Sequence, residues 1–127
     1  MSELMDVCEQ AARLGGAILR QWEGKFSAKE KGPADLVTEA DVASQEVIRD
    51  WVLKRFPEHD FLGEESVPEA ISDRPPAPYR WIVDPLDGTM NYVHGLPGYA
   101  VSVALEHAGR IVCGCIFDPI ADECFTA

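Results

Sequence analysis

Between Trp81 and Tyr92 the chain reads Trp-Ile-Val-Asp-Pro-Leu-Asp-Gly-Thr-Met-Asn-Tyr, and few stretches of this length leave a backbone so little choice. The residues from Tyr79 to Val83 are apolar, aromatic or β-branched apart from one arginine, and Pro78 and Pro85 bound them. That pattern predicts a short buried strand. Pro85 fixes its own φ and biases Asp84 toward extended backbone, so the strand should end by delivering Asp84. Gly88 then permits a turn or a close backbone approach that a side chain would block. A helix can start at Thr89 with backbone N–H groups aimed ahead of it. Two carboxylates three residues apart beside such a start point to divalent cations holding a phosphate.

Composition narrows the partners. With 11 basic and 22 acidic residues the formal charge is −11. A phosphate-backbone binder wants a basic face, and so does a protein that docks on anionic membranes. No nucleic-acid or membrane partner is expected. The N-terminus lacks the apolar core of a signal peptide and no run reaches membrane-spanning length, which together predict a cytoplasmic protein. Cys8, Cys113, Cys115 and Cys124 lack the spacing of a metal-ligand set and read as buried, reduced thiols.

The 127 residues suffice for one domain with its own core. Leu4, Val7, Cys8, Ala11, Leu14, Ile18, Leu19 and Trp22 recur at helical steps and predict an amphipathic helix from about Glu3 to Trp22. Lys25 to Ala34 reads as a polar loop. Thr38-Glu39-Ala40-Asp41 has the pattern of a capping box opening a helix from about Glu39 to Arg55, with Val42, Val47, Ile48, Trp51 and Val52 as its apolar face. On local evidence Asp41 is a helix-start acid. Asp60 to Ser66 reads as a short strand running into paired acids, and Val67 to Pro78 as an exposed connection. After a short helix from Thr89 to His94 come strands at Tyr99–Glu106 and Ile111–Phe117 and the start of another at Glu123–Thr126. The expected class is α+β, with two helices packed on a mostly antiparallel sheet.

A Mg²⁺ ion takes oxygen ligands in octahedral geometry. Asp84 could bridge two such ions through its two oxygens, Asp87 could reach the second, and the Leu86 carbonyl is a neutral donor in the same turn. Glu64 would complete the first ion's set. Two cations about 3.5–4 Å apart would stabilise both oxygens of an in-line phosphoryl displacement. His94, His59 and His107 read as structural or surface residues, because such ions prefer oxygen.

The run Asp84-Pro85-Leu86-Asp87-Gly88-Thr89, with Gly63-Glu64-Glu65-Ser66 and Asp35-Leu36-Val37-Thr38-Glu39-Ala40-Asp41 upstream, resembles the inositol monophosphatase family of Mg²⁺-dependent, lithium-sensitive phosphatases. The resemblance extends over nearly the whole chain, through Asn91-Tyr92-Val93-His94-Gly95. It implies that the fold is the N-terminal half of a layered αβαβα sugar-phosphatase architecture. It also implies two or three Mg²⁺ ions, with Glu64, Asp84 and the Leu86 carbonyl on the first and Asp84 and Asp87 on the second. Glu64 would also serve a third, loosely held ion. Asp87, Gly88 and Thr89 would contact the phosphate, Gly88 and Thr89 through backbone N–H groups. Thr89 and Asp41 would orient and activate the attacking water, so Asp41 would cap its helix and also face the site. Glu64 counts with these two as catalytic, and Glu65 would steer Glu64 from behind.

The same resemblance marks what is missing. Family members are about twice this length, and their second half brings a Trp-Asp-x-Ala-type motif, a further metal ligand and most substrate-hydroxyl contacts. Residues 1–127 are therefore expected to be an N-terminal metal-binding domain without its C-terminal partner domain, homodimeric in full-length form, weak in Mg²⁺ binding and slow in turnover alone. The expected reaction is hydrolysis of inositol monophosphate or a similar small polyol or sugar phosphate by direct attack of a metal-activated water. Fructose 1,6-bisphosphate, nucleotide 3′,5′-bisphosphates and histidinol phosphate are alternative substrates. The remaining alternative is a catalytically incomplete half-chain serving as a metal-binding or interaction module.

Overall fold

A computed structural model describes residues 2–25, 28–32, 35–63 and 77–127, with backbone alone for residues 2, 28–32 and 35–37. In chain order the elements are α1 (Ser2–Gln21), β1 (Ala28–Gly32), β2 (Asp35–Thr38), α2 (Glu39–Arg55), β3 (Asp60–Gly63), β4 (Tyr79–Asp87), α3 (Thr89–Val93), β5 (Ala100–His107), β6 (Arg110–Asp118) and β7 (Glu123–Thr126). Strands β3 to β7 form one sheet in sequential order, parallel between β3 and β4 and antiparallel elsewhere. Helices α1 and α2 pack against each other and against one face of that sheet. The expected α+β class holds.

The core lies between the helices and that face. Every second residue of the central strands is buried there: Trp81 and Val83 from β4, Val101, Val103 and Leu105 from β5, and Cys113, Cys115 and Phe117 from β6. This is the period-2 pattern of a half-covered sheet. The two helices meet where α1 has no side chain: a Cβ on Gly15 would lie 2.7 Å from Ile48 Cδ1 and 2.8 Å from Ser44 Oγ. The β5–β6 turn places Ala108 and Gly109 at φ of 51° and 81°, the positive-φ pair that tight hairpins need.

Three expectations need correction. The segment predicted as a loop from Lys25 to Ala34 contains β1, which pairs antiparallel with β2. Charged Ala-Lys-Glu-Lys-Gly carries no apolar alternation, so backbone pairing alone makes it a strand. Strand β4 does not stop at Asp84 but continues through Pro85 to Asp87, with a register shift between Asp84 and Asp87. Pro85 sits inside that irregularity, where the ladder does not require its missing N–H. Finally, Val42 is exposed, and the buried face of α2 is Ala40, Asp41, Ser44, Gln45, Ile48 and Val52. Its N-terminal half is thus polar where it is most buried. The connection predicted at Val67–Pro78 lies outside the described residues up to position 76.

His59 is buried, as a structural role requires. Its ring stacks between Phe56 and Tyr79, with centroids at 4.6 and 4.9 Å, and its Nδ1 accepts the Trp81 indole N–H at 3.1 Å. Nδ1 must therefore be unprotonated, and burial lowers the imidazole pKa below its ordinary 6.5. The unfolded chain takes up a proton near that value while the folded chain resists it, so stability is lost as pH falls below about 6.5. Urea denaturation between pH 7.5 and pH 5.5 should show a falling midpoint (both pH values about one unit from that pKa). The fall should be smaller in His59→Gln, whose amide can accept the same bond without titrating.

Candidate active site

The site is built where β4 leaves the sheet. Strand β3 ends at Gly63, paired with Val83, so the parallel pairing stops one residue before Asp84 while β4 runs on along β5. Side by side, parallel strand ends form the crevice where α/β sheets take ligands. Gly63 packs tightly on α2, because a Cβ there would collide with the Gln45 carboxamide. Glu64 and Glu65, which follow Gly63 in sequence, lie outside the described residues.

Beyond Val83 the chain coils around its own polar groups. The Asp84 Oδ1 accepts the Leu86 N–H at 3.2 Å, which turns that carboxylate into the Pro85–Asp87 bend. The Leu86 side chain is buried and Pro85 is fully buried, so both anchor the bend to the core. The Leu86 carbonyl accepts the Thr89 hydroxyl at 3.3 Å. Asp87 is exposed. Gly88 adopts φ 88° as the N-cap of α3, and a Cβ there would stand 2.6 Å from the Gly98 carbonyl. Glycine is required twice over, for its backbone angle and for space.

Helix α2 brings Asp41 to this bend. Thr38 and Asp41 form the predicted capping box: Asp41 Oδ1 accepts the Thr38 N–H at 2.9 Å and the Thr38 hydroxyl at 2.5 Å, while the Asp41 N–H reaches Thr38 Oγ1 at 3.3 Å. Asp41 is nonetheless almost wholly buried, at 1 % exposure, which a surface cap would not be. One turn on, the Ser44 hydroxyl donates to the Pro85 carbonyl at 3.0 Å. The first turns of α2 are thus fastened to the Asp84–Thr89 run.

The short helix α3 is held from the other side. The Tyr92 hydroxyl donates to the Leu19 carbonyl at 2.6 Å, and the Tyr99 hydroxyl to Glu23 at 2.6 Å, with the two rings edge to face at 4.9 Å. Burial, followed by the charges of Glu23 and Asp41, raises the Tyr92 pKa. Sequence reasoning missed Ser44, Gln45, Tyr92 and Tyr99 as the residues that set this geometry. The polar positions at helical spacing from Asp41 were the available signal.

Among the described residues no three acidic, histidine or cysteine side chains come together as a metal-binding group. The other acid assigned to the first ion beside Asp84, Glu64, lies outside the described residues. The donors that are described, the Asp84 and Asp87 carboxylates and the Leu86 carbonyl, are all hard oxygens from one bend, which suits Mg²⁺ and not a thiophilic ion.

The sequence profile of the inositol monophosphatase family matches residues 1–127, and the chain belongs to that family. It is 44 % identical to an inositol-1-monophosphatase of Rhizobium meliloti over 99 % of this chain and 47 % of the relative. It is 37 % identical to a fructose-1,6-bisphosphatase/inositol-1-monophosphatase of Aquifex aeolicus, over 98 % of this chain and 47 % of the relative. The fold matches the crystal structure of extragenic suppressor protein suhB from Bartonella henselae, with a TM-score of 0.90 and 44 % identity, covering 98 % of this chain and 48 % of that one. The chain thus spans about half the length of the relatives it matches.

Replacing Gly88 by alanine should cost about 1–3 kcal/mol, because it combines a left-handed residue with a backbone clash. Thermal unfolding of Gly88→Ala would show this as a lowered midpoint with unchanged helix content at low temperature.

Proposed function

We propose that residues 1–127 form the N-terminal metal-binding domain of a Mg²⁺-dependent phosphomonoesterase acting on inositol monophosphate or a similar small polyol or sugar phosphate. The observation that carries this reading is the Ser44–Pro85 hydrogen bond, which fastens the turn bearing Asp41 to the run Asp84–Thr89. It joins the water-handling and ion-holding residues into one unit. Asp84, Asp87 and the Leu86 carbonyl would hold the ions, with Glu64 adding a carboxylate and Glu65 steering it. When bound, Mg²⁺ supplies Lewis-acid polarisation of the phosphoryl group and eases deprotonation of the water that attacks it.

The chain's own groups do the rest. The N–H groups of Gly88 and Thr89 hold phosphate oxygens and fix the phosphorus relative to the bend. The Thr89 hydroxyl accepts a hydrogen bond from the incoming water and turns its own proton from the Leu86 carbonyl toward Asp41. The Asp41 carboxylate takes that proton as Thr89 takes one from the water, while Thr38 holds the carboxylate in place. As the water oxygen bonds to phosphorus the ester P–O bond breaks, the leaving alcohol oxygen takes a proton from solvent, and no covalent phosphoenzyme forms. A second reading keeps this chemistry and takes fructose 1,6-bisphosphate, on the strength of the relative from Aquifex aeolicus that carries both activities in its name.

Calorimetric titration with Mg²⁺ should show affinity falling about tenfold or more in Asp84→Asn and in Asp87→Asn, with the circular dichroism spectrum unchanged. Unaltered affinity in both would overturn the assignment. Phosphate release from inositol 1-phosphate should drop about 10²-fold or more in Thr89→Ala while Mg²⁺ affinity holds. If affinity falls as steeply as the rate, Thr89 is not the water-handling residue. Running inositol 1-phosphate and fructose 1,6-bisphosphate side by side separates the two substrate readings.

A further inference from the structure

The four cysteines of the chain come from three elements and converge in the layer between α1 and the sheet. Cys8 on α1 and Cys113 and Cys115 on β6 are buried, and Cys124 on β7 is half-buried. They do not form one equivalent set. The Cys8 thiol donates to the Val103 carbonyl at 3.1 Å and lies against Cys113, enclosed by helix and sheet. Cys115 and Cys124 instead face each other across the β6–β7 ladder, with their sulfurs 2.7 Å apart.

Register explains that proximity. Phe117 pairs with Cys124 and Cys115 with Thr126, so the two cysteines are diagonal neighbours on the same face of the sheet. Their sulfurs sit closer than non-bonded sulfurs ordinarily do, though still short of the bonded length of about 2.05 Å.

We propose that Cys115 and Cys124 are a reversible thiol–disulfide pair, oxidised by peroxide, that clips β7 to β6. Cys124, the more open of the two, gives its proton to solvent and attacks one peroxide oxygen. The O–O bond breaks and hydroxide leaves, collecting a proton to become water. The sulfur of Cys115 then attacks the Cys124 sulfenic acid: the S–S bond forms, the S–O bond breaks, and the oxygen departs as a second water with the Cys115 proton. In sum two thiols lose two hydrogens and two electrons, and one peroxide is reduced to two waters. Burial raises the Cys115 pKa, which disfavours its thiolate and leaves the first reaction with peroxide to Cys124. Burial among neighbouring thiols likewise pushes Cys8 up to about 12, which keeps that pair out of the exchange.

The test uses the whole chain, folded, treated with dilute hydrogen peroxide and then denatured and alkylated. Two thiols should be labelled instead of four, and dithiothreitol should restore all four. Cleavage after acidic residues, which spares the Asp118–Pro119 bond, should give His107–Asp122 joined to Cys124–Ala127, with fragmentation placing the link on Cys115 and not Cys113. Cys115→Ser should leave a dimedone-reactive sulfenic acid on Cys124, and the peptide map of the unaltered sequence decides the matter if that variant fails to fold. A link between Cys8 and Cys113, a link between chains, or sulfinic acid on Cys124 with Cys115 still free would each overturn the proposal.

Discussion

The arrangement depends on a single backbone constraint, the bend from Asp84 to Gly88. A strand that continues regularly would point Asp84 and Asp87 to opposite faces, because their separation is odd. The irregularity around Pro85 breaks that alternation. It lets the Asp84 carboxylate fold over the Leu86 N–H and leaves the Leu86 carbonyl for the Thr89 hydroxyl. Burial of Pro85 and Leu86 fixes the bend from beneath, and Ser44 fixes it from the side. Gly88 releases the chain into α3 through the one backbone angle that clears Gly98. If any of these were lost, the donors would no longer share a bend.

How much of this the sequence revealed depended on whether the signal was local. The helix from Glu39 to Arg55 was legible to the residue, because Thr38 and Asp41 satisfy its first N–H groups and Pro57 stops it. The β5–β6–β7 meander was legible from alternation and turn residues. Strand β1 was not, since nothing in Ala-Lys-Glu-Lys-Gly distinguishes a charged strand from a charged loop until β2 supplies the partner. The continuation of β4 past Pro85 was hidden for the same reason: Pro85 announces an interruption, and only the neighbouring strand shows that pairing resumes at Asp87.

The expected ion-holding acids carry a local sequence signal, and the residues that support their bend do not. Asp84, Asp87 and Thr89 were readable from one short run. Asp41 gave an ambiguous signal because a capping acid and a site acid look alike in sequence. In the fold Asp41 is at 1 % exposure, a desolvation that a surface cap does not undergo. Ser44 and Gln45 carry the same message, for a helix face polar at its most buried point is shaped by what it faces. No helix among the described residues is long and apolar enough to cross a membrane.

The two faces of the sheet complete the physical picture. On the helix side the strands bury aromatic and branched residues in regular alternation. On the other side an antiparallel sheet left in water would carry polar residues. Here Leu62, Ile116 and Phe125 are 47 %, 50 % and 60 % exposed, and Ile116 and Phe125 are direct cross-strand partners. Apolar side chains on both faces are the pattern of a sheet meant to be covered on both, which matches the layered αβαβα architecture expected for the family. Adding a layer there would stabilise β7 by removing apolar surface from water. A Cys115–Cys124 link would stabilise the same strand by a different route, through a covalent tie, so β7 is where the two effects would be felt together.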